Sequence, residues 1–252
     1  MDVFETTRPG DYLLRLARSG AGSAYKRLAA SLLDIRPGDV VLDLGCGPGA
    51  DLAAFAEAAG EGGRVIGIDH DRVQLEKARA TAPPRADVRE GDIHALDLPD
   101  ASADRAHTDR VLQHVADPVA VVAELRRVLR PGGVAVLAEP DWDTLAIDHP
   151  DLATARAYTR YVTERAVRNA TVGRSLARYG ADAGFEVRDV VPVTTVFRDV
   201  TAADQVLGLH RVTGRAVADG YLTEEAARDW LAHLANRPFF GSATLHLVVL
   251  GG

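Results

Sequence analysis

Residues 40–52 read VVLDLGCGPGADL, an apolar strand followed at once by a glycine-rich turn. Asp43 stands near the end of the apolar run, and Gly45, Gly47 and Gly49 follow it at alternate positions. Glycines after a buried strand let the backbone turn sharply and approach a ligand, as in nucleotide-binding α/β folds. The stretch therefore predicts a nucleotide site at the carboxyl end of the first strand.

Strand-like and helix-like segments alternate five times between residues 36 and 140. This alternation is typical of a parallel sheet with helices on both faces. The helix that starts at Pro118 is expected to stop at the glycines of LRPGG, and the fifth strand is expected over 133–140. After residue 140 the pattern predicts mainly helices and two last strands that pair antiparallel. We predict a doubly wound α/β fold with a seven-stranded, mostly parallel sheet, an antiparallel last strand and helical cap inserts.

Composition and charge restrict the class of protein. The net charge of −7 disfavours nucleic acid and anionic membranes as partners. Cys46 is the one cysteine, which excludes an intramolecular disulfide and a cysteine-rich zinc site. No apolar run approaches the ~20 residues of a transmembrane helix. We expect a cytoplasmic monomer or homodimer that acts on a small molecule.

The glycine turn fits more than one ligand. Gly45, Gly47 and Ala50 match the loose pattern of a nicotinamide-dinucleotide site, and any doubly wound fold can carry such a turn for structural reasons alone. Asp43 would lie close to the pyrophosphate of a dinucleotide and repel it. The same carboxylate suits S-adenosylmethionine, which carries an ammonium group, a sulfonium and no phosphate.

Acidic residues also follow the next two predicted strands. Asp69 ends the second strand, where a carboxylate can accept both ribose hydroxyls of a nucleoside. Asp92 follows the third strand and can accept from the adenine amino group, while Ile93 packs on the ring. Because parallel strands open onto one crevice at their carboxyl ends, Asp43, Asp69 and Asp92 are predicted to face the same ligand.

Taken together, these motifs resemble the class I S-adenosylmethionine-dependent methyltransferases. Within that superfamily the chain looks like the small-molecule branch, which includes ubiquinone/menaquinone and natural-product methyltransferases. The resemblance covers about residues 36–140. It rests on VLDLGCGPG (41–49), GIDHD (67–71), GDIHALDLPDASAD (91–104), RVLQHVADP (110–118) and LRPGG (129–133).

The resemblance implies S-adenosylmethionine as cofactor and a Tyr12 that folds over it from the N-terminal helices. It also places Gln74 against the adenine, where the branch often has a methionine. The predicted cofactor-binding residues are Tyr12, Asp43, Gly45, Gly47, Gly49, Asp69, His70, Gln74, Asp92, Ile93 and Arg110.

The predicted organisation has four parts. These are N-terminal helices that contribute to a lid (1–35), a Rossmann-like cofactor-binding core (36–140), a helical cap and crossover (141–184), and the last two strands (185–252) with a helical insert (201–237). The strand over 185–200 is expected to bend or break near Pro192, and the insert is expected to break near Gly214 and Gly220.

Methyl transfer is an in-line displacement in which the protein mainly aligns reactants and excludes water. A general base is needed where the nucleophile holds a proton at neutral pH. His114 and Glu139 are the candidate bases, near the ends of the fourth and fifth strands. Alternatively, His114 packs near the cofactor at a helix start, and Glu139 forms an ion pair with an arginine. No catalytic metal is expected, because the histidines show no paired ligand spacing.

The leading hypothesis is a methyltransferase that acts on oxygen, nitrogen or an electron-rich carbon of a small organic molecule, such as an aromatic natural product. A cyclase-like enzyme that keeps the cofactor on the same fold is the alternative. A dehydrogenase is disfavoured by Asp43. A nucleic-acid methyltransferase is disfavoured because residues 108–113, TDRVLQ, stand where an N/D-P-P-Y/F motif would be expected.

Overall fold

The computed structural model describes residues 20–252 and confirms the predicted seven-stranded sheet. The strand order is β3-β2-β1-β4-β5-β7-β6. Neighbouring strands from β3 to β5 pair in parallel, whereas β7 runs antiparallel to both β5 and β6. The strands are β1 (Val40–Leu44), β2 (Arg64–Asp69), β3 (Ala86–Glu90), β4 (Ala103–Asp109), β5 (Leu129–Ile147), β6 (Glu186–Phe197) and β7 (Gly241–Gly251).

The helices of the described chain fall into two groups. Five of them connect or cover the strands: α1 (Gly20–Leu33), α2 (Leu52–Ala59), α3 (Arg72–Thr81), α4 (Pro118–Val128) and α6 (Val172–Asp182). The others build a lobe beside the end of β5: α5 (Leu152–Tyr161), a π-helix (Val162–Ala166), α7 (Val200–Leu207), α8 (Leu209–Ala218) and α9 (Glu224–Asn236).

Three apolar clusters hold these layers together. One cluster joins α1, α2 and α3 to the sheet and includes Tyr25 and Phe55. A second joins α4 and α6 to the sheet and includes Leu125 and Leu176. The third lies within the helical lobe, around residues such as Trp230. Burial on both faces explains why β1 and the Val134–Ala138 part of β5 read as almost continuous apolar runs.

The order of the sheet reverses at β1, because β2 lies on one side of it and β4 on the other. In the register of this pair, Asp43 of β1 lies beside His107 of β4. Connections from two neighbouring strands leave in opposite directions at such a point and open a crevice at the carboxyl ends. The fold therefore positions the glycine turn and the end of β4 around one cleft.

Two expectations about α4 and β5 are wrong. The helix ends at Val128 without a glycine stop, and Leu129 begins the next strand directly. Leu129 is buried and pairs with Ala103 of β4, so strand pairing replaces the glycine cap. The fifth strand also continues past residue 140 to Ile147, because its far end pairs with Gly241 of β7.

Two breaks that the sequence allowed near the end of the chain do not occur. β6 runs unbroken through Pro192, which an edge strand tolerates because one of its sides carries no ladder hydrogen bonds. Gly214 lies inside α8, and the break between α7 and α8 falls at Gly208, which adopts φ +59°. The predicted break at Gly220 is confirmed, with φ +77° between α8 and α9.

Within residues 20–252, the helices lack the combination of length and apolarity that a membrane span requires.

Candidate functional site

The glycine turn adopts a backbone that side chains disfavour. Gly45, Gly47 and Gly49 have φ values of +70°, +51° and +80°. The N–H of Gly45 donates to the carbonyl of Ile68 at 2.7 Å, and the N–H of Gly47 donates to Oδ2 of Asp69 at 2.9 Å. These bonds fix the turn against the end of β2, and Gly45 and Gly47 line the cleft.

We expect Gly45→Ala to lower the free energy of unfolding by about 2–4 kcal/mol. The added Cβ would be strained at positive φ and would lie 2.7 Å from Cγ1 of Val111, and closer still to its Cγ2. Urea denaturation measures the change. The matched control is Gly220→Ala, which also has positive φ but meets no atom within 4 Å, so that strain alone costs about 1–2 kcal/mol. Equal losses in both variants would contradict the close approach of Val111.

Asp43 lies where the sequence predicts, but it already has a partner. Its side chain lines the cleft and is 3% exposed. Its Oδ1 lies 2.9 Å from Nδ1 of His107, which is also buried. His107 is a site residue that the sequence motifs did not predict. The available signal was a histidine inside the buried strand ADRAHTD.

Lys26 sits among carboxylates at the rim of the same cleft. Its Nζ lies 2.5 Å from Oδ2 of Asp51 and 2.6 Å from Oδ2 of Asp109. The hydroxyl of Tyr25 donates to Asp109 at 2.9 Å. Burial would raise the pKa of Asp109, but the charges of Lys26 and Arg110 outweigh it and lower the pKa. Of the residues in this cluster, only Arg110 was predicted. Tyr25 and Lys26 lie on α1, far from the carboxylates in sequence, and only the tertiary fold brings them together.

Asp69 and His70 stand at the end of β2, as predicted. Asp69 is almost buried and accepts N–H groups from Gly47 and Asp71, each at 2.9 Å. A carboxylate has about four acceptor positions, so Asp69 retains capacity for ligand hydroxyls. The side chain of His70 is 93% exposed, and its Nδ1 lies 3.6 Å from Oδ1 of Asp69.

Asp92 and Ile93 follow β3. The Asp92 carboxylate is largely exposed and accepts the backbone N–H of His94 at 2.9 Å, while the ring Nδ1 of His94 lies 2.6 Å away. The backbone and side-chain hydrogen bonds from His94 lower the pKa of Asp92. Ile93 is buried. An ionised acceptor beside an apolar side chain can bind the edge and face of an adenine ring.

Gln74 and Arg110 complete the predicted set within the described residues, and Tyr12 lies outside them. Gln74 is 6% exposed, and its Oε1 has no hydrogen-bond partner within residues 20–252. A buried carbonyl without a donor fits a ligand that supplies an N–H. The Arg110 guanidinium lies 5.6 Å from the ring centre of Tyr25 and lines the cleft. Gln74 therefore fits an N–H of a ligand, and the Arg110 guanidinium fits a carboxylate.

Glu139 lies fully buried at the middle of β5 and accepts hydrogen bonds from a backbone turn. Its Oε1 accepts the N–H groups of Val111 at 2.7 Å and Leu112 at 2.6 Å, and its Oε2 accepts that of Gln113 at 3.3 Å. Burial raises the pKa of Glu139 to about 7 against the opposing effect of the Leu112 and Val111 N–H groups. This geometry differs from the ion pair with an arginine that the sequence suggested. It favours a positioning role, and the role as a base stays a prediction.

His114 follows directly in the turn that Glu139 holds. Its side chain is exposed, and its backbone N–H donates to the carbonyl of Val111 at 2.9 Å. The side-chain amide of Asn169 stabilises the same turn, because its Nδ2 donates to the carbonyls of Leu112 and Val115 at 2.8 and 2.9 Å. The turn presents His114 on a rigid backbone beyond the end of β4, and its catalytic role stays a prediction.

The expectation of no catalytic metal also stays a prediction. Asp43, Asp51 and His107 each bring an oxygen or nitrogen within 4.8 Å of the others. Lys26 already supplies a cation to Asp51, and the imidazole of His107 bonds Asp43. The cluster is therefore satisfied by side chains of the chain itself.

Comparison with known proteins identifies the family. The methyltransferase domain model matches residues 42–137, which contain the glycine turn, Asp69 and Asp92. A 37.1 kDa protein in transposon TN4556 of Streptomyces fradiae is 56% identical over 98% of this chain and 73% of its own length. A Mycolicibacterium smegmatis protein named "probable S-adenosylmethionine-dependent methyltransferase" is 36% identical over 67% of this chain.

The chain spans 59% of the length of that mycobacterial relative. Among solved structures, the YcgJ protein from Bacillus subtilis superimposes with a TM-score of 0.68 at 18% identity, over 91% of this chain and 98% of that protein. This likeness confirms the fold. The matched domain contains the glycine turn and the acidic strand ends that form the cleft, and the chain belongs to the class I S-adenosylmethionine-dependent methyltransferases.

Proposed function

We propose that this protein transfers the methyl group of S-adenosylmethionine to oxygen, nitrogen or an electron-rich carbon of a small organic molecule. The observation that carries the proposal is the buried Asp43 carboxylate beside the glycine turn. Asp51 and Asp109 add negative charge to the same cleft, against the cations of Lys26 and Arg110. A cleft of this charge suits a ligand with a sulfonium and an ammonium, and disfavours a pyrophosphate.

Each residue at the strand ends would bind a different part of the cofactor. Asp43 would bind the ammonium group, and the Arg110 cation would face the carboxylate of the same amino-acid tail. Asp69 would accept the ribose hydroxyls. Asp92 and Gln74 would accept from adenine N–H groups, with Ile93 against the ring. The bound cofactor supplies a methyl group that is already activated, so these residues act by orientation.

The substrate would meet the cofactor between the turn after β4 and the helical lobe. Trp142 of β5 belongs to the apolar cluster of that lobe, and its Nε1 donates to Oε1 of Gln113 at 2.8 Å. This bond ties the lobe to the turn that carries His114. Tyr158 and Tyr161 are buried in the same cluster, where they pack the interior of the lobe beside this turn.

We expect Asp43→Asn to weaken the binding of S-adenosylmethionine by about 10- to 100-fold, because a charge-assisted hydrogen bond to the ammonium is lost. Asparagine keeps the size of the side chain and a polar contact with His107. Titration calorimetry measures the change. The control is Asp204→Asn, which alters an Asp–His pair in the helical lobe instead, where Asp204 lies 3.3 Å from His210. Unchanged affinity in Asp43→Asn would contradict the assignment of the ammonium site.

Methyl transfer itself is tested with a metabolite library. The protein and S-adenosylmethionine are incubated with small organic molecules, and products are screened by mass spectrometry for the gain of one methyl group. We expect at least one methylated small molecule with the wild-type protein, and about 10- to 100-fold less of it with Asp43→Asn at limiting cofactor. Methyl incorporation into nucleic acid alone would overturn the substrate class.

A further inference from the structure

His107 is a buried titratable group that has no role in the proposed function. It stands on β4, is 2% exposed, and its Nδ1 lies 2.9 Å from Oδ1 of Asp43. Its ring meets Phe55 edge to face, with the ring centres 5.1 Å apart. The imidazole therefore contacts both Phe55 and Asp43. Its Nδ1 is hydrogen-bonded to the Asp43 carboxylate, which would bind the cofactor ammonium.

We propose that His107 is a positioning residue that keeps Asp43 ionised and aimed into the cleft, and that cofactor binding drives a proton off its imidazolium. The inference rests on the proposed function, because it concerns the group that meets the cofactor at Asp43. A buried carboxylate without a partner would take up a proton and lose its attraction for a cation. The hydrogen bond from Nδ1 prevents this.

The surroundings of His107 are mostly acidic. β5 contributes apolar Val136 at the paired position, and α2 contributes Phe55. The charged groups that act on the imidazole or on its partner are Asp43 of β1, Asp51 before α2, Lys26 of α1 and Asp109 at the end of β4. Burial lowers the pKa of His107, but the hydrogen bond and charge of Asp43, followed by Asp51 and Asp109, outweigh it and raise the pKa.

A cationic ligand changes this balance. The cofactor ammonium would compete with the imidazolium for Asp43, and the two positive charges would repel each other. The proton lost from the imidazolium passes to solvent, while Nδ1–H keeps its bond to the carboxylate. Because the pKa of His107 is raised, cofactor affinity should rise with pH above the ordinary histidine value of ~6.5.

The test measures protons released on binding. Titration calorimetry with S-adenosylmethionine in two buffers of different ionisation enthalpy gives the number of protons exchanged. The decisive variant is His107→Asn, whose amide N–H can take the place of Nδ1–H but cannot titrate. We expect the wild-type protein to release more protons on binding than this variant near neutral pH, with affinities within about 5-fold.

Two further variants separate positioning from general structure. His107→Leu removes the hydrogen bond and should weaken cofactor binding by about 10- to 100-fold, which His107→Asn should largely restore. His210→Asn alters an exposed histidine that pairs with Asp204 and should leave the proton count unchanged. If His107→Leu does not fold, the comparison of wild type with His107→Asn still decides the question.

The outcomes are distinct. Equal proton release by the wild-type protein and His107→Asn, with cofactor binding intact, overturns the inference and leaves the proposed function standing. An affinity for His107→Asn as low as that of His107→Leu overturns the positioning role. Failure of the wild-type protein to bind either S-adenosylmethionine or its demethylated product overturns the proposed function, and the inference with it.

Discussion

Glu139→Ala should lower the free energy of unfolding by about 3–5 kcal/mol, because it leaves three backbone N–H groups without their acceptor. Those groups belong to Val111, Leu112 and Gln113, and the carboxylate that holds them is fully buried. The turn after β4 would loosen, and the hydrogen bond between Gln113 and Trp142 would weaken with it. Urea denaturation followed by circular dichroism measures the loss.

Glu139→Gln is the matched control for this prediction. Its amide oxygen can still accept the N–H groups of Val111 and Leu112, so it should cost only about 1 kcal/mol. A loss as large as that of Glu139→Ala would contradict the idea that backbone hydrogen bonds dominate the role of this side chain.

The pH dependence of stability carries a second signature of Glu139. Its pKa is raised to about 7 in the folded protein by burial, whereas the unfolded chain ionises near the ordinary value of about 4.3. Between these values the folded state binds more protons, so stability falls as the pH rises, by about 4 kcal/mol in total. Glu139→Gln should lack this slope. The same slope in both proteins would assign it to other groups.

His114→Ala should lower kcat by about 10²- to 10⁴-fold if the substrate nucleophile carries a proton, because base catalysis typically contributes that much. His114 is exposed on the turn that Glu139 and Asn169 fix, which suits a base that must reach a substrate proton. The affinity for S-adenosylmethionine should remain nearly unchanged. Single-turnover kinetics with the substrate found in the library screen separates the two effects.

The control for His114 is His210→Ala, which removes an exposed histidine from the helical lobe. It should retain wild-type kcat. A wild-type kcat in His114→Ala would show that methyl transfer proceeds by alignment alone, and the assignment of a base would be wrong. A lower affinity for the cofactor with an unchanged kcat would instead place His114 at the cofactor site.

The cleft could be predicted from the sequence where its parts are local. The glycine turn, Asp43 and Asp69 lie at the ends of apolar strands, and the topology of parallel sheets brings such ends together. The partners of these groups are not local. His107 of β4 contacts Asp43 on the neighbouring strand β1. Lys26 of α1 contacts Asp109, which is 83 positions away in the sequence. No spacing rule connects such pairs.

The errors in the fold have the same origin. LRPGG predicts that the helix ends at its glycines. Leu129 instead pairs with Ala103 of β4, so β5 begins at the first residue of the motif. Pro192 reads as a break, but its strand lies at the edge of the sheet. In each case, tertiary pairing overrides a local signal, and a single sequence does not show which strand lies at an edge.

The cleft beside Asp43 should bind an adenosyl cation and not a dinucleotide. Titration calorimetry of the wild-type protein with S-adenosylmethionine and with NAD, at equal concentration and ionic strength, measures this preference. We expect binding of S-adenosylmethionine and no measurable heat with NAD, because the Asp43 carboxylate repels a pyrophosphate beside the glycine turn. Tighter binding of NAD than of S-adenosylmethionine would contradict it.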